Sequence, residues 1–174
     1  MRVETETSFL VNLNQNIGIV HRVCHTYFAY DAAEREELFQ EVMYQLWKSY
    51  LKFKGESKFS TWMYKVALNT AITHVRRGTR SPQNPELAMP VDHAEHAEEH
   101  MNRLEEIRLL HEAITALSDI DKAIILLHLE DQNYDEIASI TGLTKTNVSV
   151  RLVRIKRALK DHLQQHSYNA KEKL

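Results

Sequence analysis

Between Asn133 and Leu159 the chain reads NYDEIASITGLTKTNVSVRLVRIKRAL, where two residue sets of opposite chemistry recur at helical spacing. Val148, Leu152, Ile155 and Leu159 form an apolar stripe. Lys145, Thr146, Ser149, Val150, Val153, Arg154 and Arg157 share the other side, with Arg151 at its flank. Cations suit phosphate oxygens, hydroxyls and arginine forks can hydrogen-bond base edges, and valines can meet thymine methyl groups. Upstream, Asn133 with Glu136 forms a capping-box pattern, Ala138 is small where two helices cross, Gly142 permits a tight turn, and Thr144 caps the next helix. The spacing predicts a helix-turn-helix whose second helix enters a DNA groove. The competing reading is a plain helical hairpin with a solvated basic face. It differs in its response to salt, because groove binding displaces condensed counterions and weakens steeply as salt rises.

A second set lies in FKGESKFSTWMYKVALNTAITHVRRGTR, residues 53–80. Phe53, Phe59, Trp62 and Tyr64 surround a short polar loop, and Asn69, His74, Arg76, Arg77 and Arg80 follow along a helix. Unstacked bases need aromatic faces, hydrogen bonds to their edges, and cations along the strand. With most of Phe59 and Trp62 assigned to the core, the base contacts fall to Lys54, Gly55, Glu56, Ser57 and Lys58 in the loop and to Asn69.

Helices must position both surfaces. Apolar residues recur at helical spacing in Phe9, Leu10, Leu13, Ile17, Val20, Cys24 and Tyr27, and again in Leu38, Phe39, Val42, Met43, Leu46, Trp47 and Tyr50. Asp31 with Glu34 resembles a capping box for the second run, and Ser57 or Ser60 can cap a third helix that Gly78 ends. All three prolines, Pro82, Pro85 and Pro90, fall in one stretch and mark the domain boundary. Beyond HAEHAEEH, a solvated linker or marginal helix start, Leu104 to Leu117 and Ala123 to Leu129 give two further helices. No strand alternation appears. The expected fold is all-α, with an N-terminal helical bundle (1–80) and a C-terminal helix-turn-helix domain (103–174) joined by a flexible acidic linker (81–102).

At 43% hydrophobic residues the chain can build packed cores, which excludes a largely disordered protein. The net charge of −2 hides an asymmetry: bases dominate from Thr144 onward, and acids crowd between Glu86 and Glu112. Cys24 is the lone cysteine, so an internal disulfide is excluded and a buried structural thiol in a reducing compartment is expected. No apolar run reaches signal-peptide or membrane-spanning length, which predicts a cytoplasmic chain without membrane insertion.

Three blocks, EELFQEVMYQLW, FKGESKFSTWMYKVALNTAITHVRR and the helix-turn-helix segment, occur in that order around the acidic linker. Together they resemble the extracytoplasmic-function subfamily of sigma-70 family RNA polymerase sigma factors over nearly the whole chain. The resemblance implies a non-enzymatic protein that binds core RNA polymerase, directs it to promoter DNA and assists opening, with an anti-sigma factor as a further partner in many relatives. It implies that Glu37, Gln40 and Glu41 dock on the polymerase clamp, and that the 54–58 loop and Asn69 capture a flipped base of the minus-ten element. It places His74, Arg76 and Arg77 near the strand backbone, and Ser149, Val150, Arg151, Val153 and Arg154 against the minus-thirty-five element. The chain departs from the family in its short lead before Phe9, and in Ser149–Val150 where many relatives carry a basic residue and serine.

Two other readings differ in kind. A stand-alone helix-turn-helix regulator needs no polymerase. A zinc site from His93, His96 and His100 with Glu99 nearby lacks an apolar scaffold and groups to orient the imidazoles, so neither metal nor cofactor is expected.

Overall fold

The computed structural model describes residues 2–78 and 97–171. These form α1 (Arg2–Tyr27), α2 (Ala32–Tyr50), α3 (Phe59–Arg77), α4 (Ala97–Thr115), α5 (Asp119–Leu129), α6 (Tyr134–Thr141) and α7 (Lys145–Lys171), with no strand among the described residues. The all-α expectation holds. Most of the acidic linker, with His93, His96 and Glu95, lies outside the described residues, and α4 starts at Ala97, inside the segment assigned to that linker.

Helices α1 to α3 pack as a bundle. Leu38, Val42 and Leu46 recur every fourth residue on α2 and are fully buried, so one stripe of that helix is sealed against α1 and α3. Val20, Val23 and Cys24 meet it from α1, and Met63, Ala67, Leu68 and Ala71 from α3, where the two alanines let helix axes approach closely. Each buried Leu, Val or Met contributes about 1.5–3 kcal/mol. Asp31 caps α2 by accepting the Glu34 N–H at 3.0 Å. The Glu34 side chain, instead of closing a capping box, reaches across to α3. Helix α3 begins at Lys58 without a side-chain cap, so neither Ser57 nor Ser60 does what the sequence suggests; Gly78 does end it, its N–H donating to the His74 carbonyl. Cys24 is buried, and burial pushes its thiol up to about 12. Since the thiolate is the nucleophile, Cys24 is expected to resist iodoacetamide in the folded chain and react on unfolding; rapid native labelling would contradict this placement.

In the second half, Ala123 through Leu127 of α5 are all buried. Helix α5 is therefore a central element, covered by α6 through Ile137 and Ile140 and by α7 through Val148, Leu152 and Ile155. The Asn133 capping box is formed with both its hydrogen bonds. Gly142 ends α6 at φ 75, and its N–H donates to the Ala138 carbonyl at 2.9 Å. A Cβ there would meet nothing within 4 Å, so the turn demands glycine for its left-handed backbone and not for space.

The two halves touch. Helix α1 lies against α5, and α3 against α6. Tyr27 donates to the Asp119 carbonyl at 2.7 Å, Arg22 pairs with Glu130 at 2.8 Å, and Tyr64 donates to the same carboxylate at 3.1 Å.

Candidate nucleic-acid interface and docking helix

Helix α7 presents the expected split. Thr144 Oγ1 accepts the Asn147 N–H at 3.2 Å, fixing where the helix starts, and the Val148, Leu152 and Ile155 stripe seats it on α5 and α6. On the other side Lys145, Thr146, Val150, Val153, Arg154 and Arg157 are exposed, and Ser149 is half-buried. Val153 is 69% exposed and Val150 45%, an unusual surface for valine that suits a face awaiting a methyl-bearing partner. Lys145 pairs with Asp135 at 2.7 Å, but both are open to solvent, so the pair is weak and screened and releases the ammonium readily. Arg151 differs. Its guanidinium lies 2.8 Å from Asp121, whose other oxygen accepts the Ser118 hydroxyl at 2.7 Å. Arg151 thus ties α7 to the start of α5, and the sequence-derived placement at the DNA flank overlooked that anchor.

The loop from Lys54 to Lys58 is exposed throughout and turns at Gly55 with φ 71. Behind it Phe53, Phe59 and Trp62 pack on one another, with ring centroids 5.0 Å apart for Phe53–Trp62 and 5.2 Å for Phe59–Trp62. These rings brace the loop. Lys58 points toward Glu136 of α6 at 3.7 Å. Asn69 is exposed, ten residues into α3 and so about 15 Å along its axis from the helix start.

His74 is half-buried and Arg77 exposed, and both face carboxylates of α2. His74 Nδ1 lies 2.8 Å from Glu41 and Nε2 lies 3.0 Å from Glu34, while Arg77 approaches Glu41 at 3.5 Å. Burial disfavours the imidazolium, but the hydrogen bonds its ring N–H groups donate to Glu41 and Glu34 outweigh it and raise the pKa of His74 above its ordinary value. His74 thus links α3 to α2, while Arg77 reaches Glu41 from an exposed position beside it. Arg76 remains exposed.

Helix α2 carries a surface that sequence periodicity misread. Glu37, Gln40, Tyr44, Trp47 and Leu51 follow one another at three- and four-residue steps, and all are exposed. Tyr44 is 58%, Trp47 47% and Leu51 80% exposed. The sequence counts Trp47 in the apolar set of this helix. The usable signal was the stricter stripe of Leu38, Val42 and Leu46, which turns Trp47 away from the core by about 100°. An exposed aromatic stripe with a carboxylate at one end is typical of a protein-docking hot spot.

Comparison with known proteins gives matches over both halves. Residues 13–81 match Sigma-70 region 2, and residues 107–159 match Sigma-70, region 4. The chain is 32% identical to the RNA polymerase sigma-H factor of Pseudomonas aeruginosa over 148 residues, 79% of this chain and 77% of that relative. It is 29% identical to the ECF RNA polymerase sigma-E factor of Escherichia coli, over 74% of this chain and 73% of that protein. Among solved structures, the sigma factor RpoE of Bartonella quintana, crystallised in complex with the anti-sigma factor NepR, superposes with a TM-score of 0.68 at 17% identity, covering 90% of this chain and 97% of that one.

Proposed function

Because the chain belongs to the extracytoplasmic-function subfamily of sigma-70 factors, and so is a sigma factor for promoter recognition by RNA polymerase, we propose how its surfaces divide that work. The exposed face of α7, from Lys145 to Arg157, reads the minus-thirty-five element. The 54–58 loop and Asn69 engage the minus-ten element, and the α2 stripe that starts at Glu37 and Gln40 docks on the polymerase. Residues 1–80 and 103–174 act as two domains that separate to reach the two elements. The protein does no covalent chemistry of its own; it contributes binding energy where bases unstack at a few kcal/mol each. No described helix is long and apolar enough to cross a membrane, and the work is placed with the polymerase in the cytoplasm. An anti-sigma factor is a further proposed partner, because the neighbour of the same fold was crystallised with one.

The observation that carries the division is the exposure of Val150 and Val153 beside Arg154 on a helix seated by three buried residues. A promoter-opening assay with and without core RNA polymerase tests the whole reading. Opening is expected only when both are present. Promoter-specific binding by the chain alone, unaltered by polymerase, would instead identify a stand-alone regulator. Within that assay Arg154→Ala is expected to cost about 1–3 kcal/mol at one base pair of the upstream element. A loss uniform across promoter variants, with a salt dependence reduced by about one charge, would reassign Arg154 to a phosphate.

A further inference from the structure

Glu34 and Glu37 lie one turn apart on α2, and His74 faces them from α3. One ligand atom from each of the three lies within 4.8 Å of the other two. The imidazole is held on its far side: Nδ1 is 2.8 Å from Glu41, leaving Nε2 to face Glu34 at 3.0 Å. A carboxylate on one ring nitrogen fixes the tautomer and orientation of a histidine, the usual support of a metal-ligating imidazole. Arg77, 3.5 Å from Glu41, holds that carboxylate in turn. The His74 side chain is 16% exposed and that of Glu34 42%, so the floor is sheltered and the mouth open to solvent. Glu37 is exposed, and neither a hydrogen bond nor an ion pair engages it among the described residues.

We infer that Glu34, Glu37 and Nε2 of His74 form a binding site for a first-row divalent transition-metal ion of the zinc class, with Glu41 as its positioning residue. One imidazole and two carboxylates leave a fourth tetrahedral position for water. Ligand atoms on such an ion stand about 3.4 Å apart at bonds of about 2.1 Å, so the solvent-facing Glu37 carboxylate closes by roughly an ångström. The nitrogen ligand selects against magnesium and calcium, which prefer oxygen throughout. The site joins α2 to α3 through residues 40 apart in sequence, His74 and Glu34, so a bound ion also cross-links the bundle. Its ligands do not include the linker histidines.

The test is a chelator-competition titration of the full chain with zinc, run above neutral pH because protons compete for Nε2. One zinc ion is expected at this site. Glu37→Gln should weaken it at least tenfold, His74→Gln should abolish it, and Glu41→Gln, which touches only the support, should weaken it by about 10- to 100-fold. The triple change His93→Gln, His96→Gln and His100→Gln should leave it intact, and magnesium in large excess should not displace zinc. Zinc at a concentration near the parent's Kd should raise the melting temperature of the parent chain more than that of Glu37→Gln, an exposed and isosteric change that leaves the fold in place. Equal zinc affinity in the parent and Glu37→Gln, or a loss that follows the linker histidines, overturns the assignment.

Discussion

Trp47→Ala is expected to weaken assembly with core RNA polymerase by about 2 kcal/mol, roughly 30-fold, the scale of an aromatic hot spot. Trp47 is half exposed in the middle of the α2 stripe, flanked by Tyr44 three residues earlier and Leu51 four residues on. Lys48 lies over the Tyr44 ring at 5.7 Å, which keeps a cation beside the apolar surface without covering it. The Trp47 ring meets Phe9 edge-on with centroids 5.3 Å apart, so its removal also costs some internal packing. That cost is bounded, because aromatic pairs are worth about 0.5–1.5 kcal/mol beyond area. Competition of variant and parent chains for core polymerase measures the first effect, and a thermal melt measures the second. Gln40→Ala, at the polar end of the stripe, should change assembly far less. Unchanged assembly by a folded Trp47→Ala chain would remove the stripe from the docking surface.

Leu152→Ala should be the most damaging single truncation in the C-terminal domain, at about 2–5 kcal/mol. Leu152 is 1% exposed and sits between Val148 and Ile155 in the stripe that seats α7 on α5 and α6. Marginal domains hold only about 5–15 kcal/mol in total, and a unit this small has little surplus. The variant keeps every exposed side chain proposed to read DNA and still should lose upstream promoter recognition, because the helix that carries them is no longer held at one angle. Hydrogen exchange along α6 and α7, read beside promoter binding, separates this from a direct contact effect: exchange should accelerate in Leu152→Ala and stay unchanged in Arg154→Ala. Equal protection in both variants would show that the stripe does not seat the helix.

Much of this was legible from residues alone. Helices α5 to α7 follow from caps and periodicity that act within a few residues: the Asn133 box, Gly142 and the Val148 stripe all stand where the sequence puts them. The cap of α3 was misjudged, because serine favours a cap only where the chain turns to present its hydroxyl, and here the helix simply starts after the loop. Trp47 was misplaced for a different reason: an apolar residue beside a core stripe reads as core until the stripe's phase is fixed by what packs on it.

The sequence by itself determined an all-helical chain, the helix-turn-helix with its basic exposed face, the aromatic loop, and the family, since each is written in local spacing or in the order of motifs. Tertiary structure alone decided what each charge faces. His74 and Arg77 meet Glu41 and Glu34 across 33 to 40 residues of chain, Arg151 meets Asp121 across 30, and Glu130 meets Arg22 and Tyr64 from the other half of the molecule. Helical periodicity says which side of a helix a residue occupies. Which helix packs against that side depends on how several apolar stripes bury one another at once, and only that packing sets the carboxylates that His74 and Arg151 meet.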